Sequence, residues 1–156
     1  MSLPPATAPA STTTSAEVPA PSTTSTTLDP GPTTGDVEGF GIIEIELGGE
    51  SMAVAVADTP DLRRQGLMFV EDLGDLDGML FDFGGESRGA FWMKNTLIPL
   101  DIAFFDGDGE LVAALTMVPC EADPCPTYDP EVPYSYAIEV PAGVFGGLPD
   151  DARLRF

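Results

Sequence analysis

Apolar and acidic residues alternate along Phe40–Leu47 (FGIIEIEL), the two-residue period of a half-buried strand. Gly48-Gly49-Glu50 then reads as a hairpin turn, and Met52–Ala57 as the returning strand. The pattern changes at Thr59. Its hydroxyl suits a helix N-cap, Pro60 suits the first helical position, and Asp61 suits the positive end of the helix. One short helix is therefore predicted to about Met68, with Leu62 and Phe69 on its inner side and Arg63 and Arg64 outward. Gly66 within it costs about 1 kcal/mol relative to Ala, which marks a place of close approach.

A Gly/Asp-rich loop spans Glu71–Asp77. Short apolar runs follow at Met79–Phe83, Ala90–Asn95, Leu100–Asp106, Glu110–Val118 and Tyr134–Val140, with a last one near Arg153–Phe156. Gly84-Gly85, Pro99 and Asp106-Gly-Asp-Gly109 separate several of them. Many short strands, close turns and one helix predict a mainly β fold, a compact β-sandwich or barrel-like domain. No internal repeat is visible.

Composition sets apart the first part of the chain. Residues 4 to 36 are nearly all Pro, Ala, Ser and Thr, with no aromatic residue. Such a segment buries too little apolar surface to offset the entropy of ordering it. A disordered stalk over 1–36 and a single β-rich domain over 37–156 are the expected organisation. Met-Ser-Leu at the start reads as a vector-derived remnant and lacks the charged and apolar regions of a signal peptide. The expectation is a mature extracytoplasmic protein, secreted or held at the cell envelope, with a lipid anchor upstream compatible with the stalk. No hydrophobic run approaches the ~20 residues of a membrane span.

Charge narrows the partners. Of 26 acidic residues, Glu17, Asp29 and Asp36 lie in the stalk, leaving 23 against six basic ones in the domain, a formal charge of −17 (6 − 23). Such a field repels phosphate backbones, so no nucleic-acid partner is expected.

The chain has no histidine, which removes Ser-His and Cys-His nucleophile pairs and imidazole metal sites. Phe91–Asn95 (FWMKN) holds its only tryptophan, lysine and asparagine. On a strand, Trp92, Lys94 and Thr96 share one face. Lys94 beside Trp92 suits a carboxylate or sugar ligand, or a cation–π contact. Equally, it suits a structural ion pair with Asp101 or Glu139. Trp92, Lys94, Asn95, Asp101 and Glu139 are therefore the candidate ligand-binding residues, and no catalytic residue is assigned.

Cys120 and Cys125 frame C-x4-C, and outside the cytoplasm they are expected to form a disulfide. Asp106-Gly-Asp108-Gly-Glu110 starts like a calcium loop, but Leu111 and Met117 stand where a glycine and a bidentate glutamate are needed, so a hairpin turn is predicted. Asp72, Asp75 and Asp77 are the carboxylates a cation would use. No metal and no cofactor are expected. Met52, Met68, Met79, Met93 and Met117 are spread singly, as core-filling methionines are.

Gly66-Leu67-Met68, Gly78-Met79-Leu80-Phe81, Phe91–Thr96 and Ile98-Pro99-Leu100-Asp101 together resemble domain-of-unknown-function family 192 of bacteria and archaea. Pro119, Tyr128 and Glu139 fit its later positions, and the resemblance covers about residues 50–150. It implies a compact, mainly β, sandwich-like domain that is often exported, and no particular activity. Val70 stands where the family usually carries arginine. If that arginine serves an anion-binding cleft, the cleft is weaker here.

The resulting expectation is a non-catalytic extracytoplasmic binding or accessory module. A small polar ligand, glycan or protein would bind around Phe91–Asp101. The alternatives are a histidine-free hydrolase using two carboxylates, drawn from Asp101, Glu139 or the acidic loops, and a purely structural or interaction domain.

Overall fold

The structure is a computed structural model that describes Val37 and residues 39–156. The stalk expected over 1–36 lies outside the described residues. Nine strands, one α-helix and one 3-10 turn follow in chain order: β1 (Gly41–Leu47), β2 (Glu50–Ala57), α1 (Pro60–Gln65), β3 (Gly78–Ser87), β4 (Phe91–Trp92), β5 (Leu100–Phe105), β6 (Leu111–Met117), β7 (Thr127–Tyr128), β8 (Tyr134–Pro141), the turn Val144–Gly147 and β9 (Leu154–Arg155).

The fold is mainly β, as the sequence predicts. Seven strands form one sheet in the order β6-β5-β8-β3-β2-β1-β9, and β4 and β7 form a separate pair. The large sheet curls until its two edges approach. Glu110 bridges Arg153, and Leu154 N–H donates to the Gly109 carbonyl at 2.8 Å. Gly109 is required there, because its φ is +77° and a Cβ would overlap the Leu154 carbonyl oxygen. The β5–β6 turn is the predicted hairpin: Asp106 Oδ1 accepts from the N–H groups of Asp108 and Glu110, each at 2.9 Å.

β2 and β3 pair in parallel, with α1 in the crossover between them. Thr59 caps α1, accepting from Leu62 N–H at 3.3 Å, and Pro60 opens it. The helix ends sooner than predicted, because Gly66 at φ +47° breaks its phase. Phe69 consequently points outward, 63% exposed, instead of joining the core. Arg63 is half-buried rather than outward, donating to the carbonyls of Asp58 at 2.7 Å and Asp82 at 2.5 Å.

Both faces of the sheet are covered. One carries Met79, Phe81, Ile102, Phe104 and Ala137, beneath Leu67, Val70, Leu73, Leu76 and Met93. The other carries Val54, Leu80, Ala103, Phe105, Ile138 and Val140, beneath Ala152 and Leu154. That double cover is why β5 is buried at every position and shows no alternation of exposure.

Candidate functional site

The predicted strand Ala90–Asn95 shrinks to the two residues of β4, Phe91↔Tyr128 and Trp92↔Thr127. Beyond Trp92 the chain turns. Asn95 has φ +57° and its carbonyl accepts from Phe69 N–H at 2.7 Å, and Phe69 itself has φ +63°. Asparagine tolerates the left-handed region, whereas a bulky phenylalanine there is strained. Two left-handed residues thus clasp the loop after α1 to the loop after β4. Although no strand continues, Trp92, Lys94 and Thr96 still line one cavity.

The cavity is small, about 30 Å³. Its walls include Phe81, Phe91, Gly66 and Met68, and Glu139 reaches it from β8. Glu139 is 4% exposed. Among the described residues no side chain or backbone group bonds to its carboxyl. Burial pushes that carboxyl up from 4.5 to about 8, so it keeps its proton at neutral pH. Thr96 is 7% exposed, and its hydroxyl likewise has no protein partner and is not sealed from solvent. Arg63, Arg64 and Lys94 complete the lining, half of the six basic residues in a chain of net charge −20.

Lys94 pairs with neither Asp101 nor Glu139. Its ammonium lies 3.1 Å from both carboxylate oxygens of Asp123 and 5.8 Å from the centre of the Trp92 ring. Asp123 belongs to the small ring closed by the Cys120–Cys125 disulfide, the pairing the sequence predicts. The Lys94–Asp123 pair is solvated, its side chains 37% and 69% exposed, and pairs of this kind contribute about 0–1 kcal/mol. Spacing along the chain could not reveal this partner, 29 residues away on a loop.

Asp101 lies elsewhere. In an antiparallel sheet directly opposed residues share a face. Glu139 opposes Met79 and Ile102, whereas Asp101 opposes Thr116 and Val140. The two carboxyls thus project from opposite faces and cannot flank one substrate, which removes them as the pair a glycoside hydrolase needs. Asp101 Oδ1 accepts from the Thr116 hydroxyl at 2.8 Å. Its Oδ2 accepts from Gly143 N–H at 2.7 Å and Phe145 N–H at 3.1 Å. It tethers the 3-10 turn to the sheet.

The aspartates of the acidic loop do not converge. Asp77 Oδ2 accepts from Ala53 N–H at 2.8 Å and Asp72 Oδ1 from Gly74 N–H at 2.9 Å. Among the described residues no three His, Cys, Asp or Glu side chains come together to hold a metal. Val70 is 2% exposed within the core, away from the cavity lining. A wider groove of about 360 Å³ lies between the β1–β2 turn and the 3-10 turn, but Glu50 is its only charged side chain. No helix among the described residues is long and apolar enough to cross a membrane.

Fold and cavity define a small curled-sheet domain in which a glutamate with no protein partner lines a cavity shared with Lys94, Arg63 and Arg64. Residues 43–156 match the family DUF192, described as an uncharacterised conserved family ("Uncharacterized ACR"), and the chain belongs to it. Two crystal structures are similar. One, from Sinorhizobium meliloti 1021 and provisionally described as a transcription regulator, is 33% identical with a TM-score of 0.64 over 74% of this chain and 94% of that one. The other, a protein of unknown function from Novosphingobium aromaticivorans DSM 12444, is 26% identical with a TM-score of 0.69 over 80% of this chain and 92% of that one. No curated protein matches the chain.

Proposed function

We propose that this domain is a non-catalytic extracytoplasmic binding module whose site is the Glu139 cavity, with Trp92, Lys94 and Thr96 as the other contact residues. The observation that carries the reading is Glu139: a side chain only 4% exposed whose carboxyl has no protein partner and meets only what enters through the opening. A bound ligand would supply the missing bond. At about 30 Å³ the cavity exceeds the ~10–15 Å³ that one water needs and takes only a small group. The ligand therefore inserts a polar tip, and its remainder lies outside against Trp92, which is 46% exposed. That remainder can belong to a small molecule, a glycan or a protein. The Cys120–Cys125 disulfide and the Pro/Thr/Ser composition of residues 4–36 support a place outside the cytoplasm.

The S. meliloti protein's description does not carry over to this chain, because a domain of charge −17 (6 − 23) opposes DNA. A fragment screen by amide and indole NMR tests the binding reading. Anionic, cationic and neutral fragments are added to the full chain. At least one class is expected to shift the Trp92 indole and the Thr96 amide together. If fragments of all three charge classes leave both signals unmoved, the site is not a binding site and an interaction or structural role takes its place.

A further inference from the structure

We propose that the group this cavity accepts is a carboxylate, and that Asp123 is the chain's own carboxylate standing in part of its place. The inference rests on the binding reading above and deepens it. Its first support is the concentration of cations. Arg63, Arg64 and Lys94 all line one cavity in a domain otherwise dominated by acids. Arg63 is engaged by the Asp58 and Asp82 carbonyls and Arg64 by Asp61, so Lys94, whose partner is solvated, is the cation an incoming anion meets. Its second support is hydrogen-bond polarity. Glu139 and Thr96 are both without protein partners, and both can donate when the glutamate holds its proton. Protonated Glu139 and the Thr96 hydroxyl can each donate or accept, whereas the Lys94 ammonium only donates, and it is the ammonium that favours an acceptor carrying charge.

The cavity, about 30 Å³, has room for the end of a carboxylate. An acid facing a carboxylate also forms a charge-assisted hydrogen bond, stronger than a neutral one. The third support is the present occupant of Lys94. Asp123 already places two carboxylate oxygens on its ammonium, each at 3.1 Å, from a loop held by the Cys120–Cys125 disulfide. Because that pair is solvated, an incoming carboxylate can take its place at little cost.

The charged groups around Glu139 and Lys94 are Arg63 and Arg64 from α1 and Asp123 from the disulfide loop. Glu139 titrates near pH 8. Carboxylate binding needs its proton. Affinity is therefore level from pH 6 to 7 and falls toward tenfold per pH unit above about 8.

The experiment uses the full chain and follows Trp92 and Thr96 signals during titration with acetate, methylammonium and methanol at constant ionic strength. Acetate is expected to bind and the other two not. Asp123→Asn is expected to tighten acetate several-fold by removing the competitor. Glu139→Gln keeps a donor, so it is expected to retain binding while abolishing the loss above pH 8. Methylammonium binding that strengthens with pH overturns the carboxylate assignment and leaves the binding reading standing. Methanol binding alone does the same. Silence from all three probes at these signals overturns both. An Asp123→Asn variant that binds acetate no more tightly than the parent overturns the stand-in role of Asp123. Glucuronate and an N-acetylated dipeptide with a free C-terminus then separate the sources. Tighter binding of the first than of acetate indicates an acidic sugar, tighter binding of the second a peptide terminus, and equal binding a free small acid.

Discussion

Two buried acids in this domain meet opposite fates. Asp101 is surrounded by donors and its carboxylate is fully used, whereas Glu139 has none and holds a proton instead. Holding it has a consequence for stability. The folded-state value of Glu139 lies above its ordinary one, so between about pH 4.5 and 8 the folded chain binds a proton that the unfolded chain has lost. Its contribution is fully present below pH 4.5 and is lost as pH rises through 8. A shift of that size corresponds to a loss on the order of 5 kcal/mol across the window. Glu139→Gln removes the titration. Denaturant melts at pH 5 and pH 8 are expected to show the parent losing several kcal/mol more than the variant, and equal losses would show that Glu139 ionises freely in the folded state.

At the scale of elements, the carboxylate of Asp101 joins three pieces: β5, the Thr116 position of β6 and the 3-10 turn Val144–Gly147. Asp101→Ala leaves two backbone N–H groups and a hydroxyl without their acceptor. At roughly 1–3 kcal/mol per buried unsatisfied group, a destabilisation of about 3–5 kcal/mol is expected from equilibrium unfolding. Acetate binding by the remaining folded protein should be unchanged, since Asp101 lies on the other face of the sheet. Loss of binding in a folded Asp101→Ala protein would place this residue in the site after all. The same scale shows what residue patterns conveyed. The hairpin after Asp106, the cap at Thr59 and the strands β5, β6 and β8 were legible because each depends on neighbours in sequence. The end of α1 and the brevity of β4 were not. The first turned on the positive φ of Gly66, and the second goes with the clasp between Phe69 and Asn95, two residues 26 positions apart (95 − 69).

For the molecule as a whole, charge is the strongest determinant of what it meets. With six cations against 26 acids, the net field should repel duplex DNA. A mobility-shift assay at about 0.1 M salt, where screening extends over ~10 Å, is expected to show no complex. A complex there would restore a nucleic-acid role to this chain. The curl of the sheet adds the other whole-molecule property. Glu110 and Arg153 join the edges by a backbone bridge and a side-chain ion pair, which shortens the open edge available for strand addition.

The sequence by itself determined the elements that rest on local physics: alternation, capping, turn chemistry and the nearness of Cys120 to Cys125. It also singled out Trp92 and Lys94 through composition, and Glu139 as a possible partner of Lys94 and through resemblance to the family. Only the tertiary structure decided which of these residues meet. It separated Asp101 from Glu139 by the two-residue period of paired strands, which sends neighbours to opposite faces. It brought Asp123 to Lys94 across a long loop, and it brought Arg63 and Arg64 to the same cavity lining as a glutamate more than 70 positions away (139 − 64 = 75). Such meetings are set by how a sheet curls and where its connections cross, and these depend on packing among distant residues that no short stretch of sequence contains.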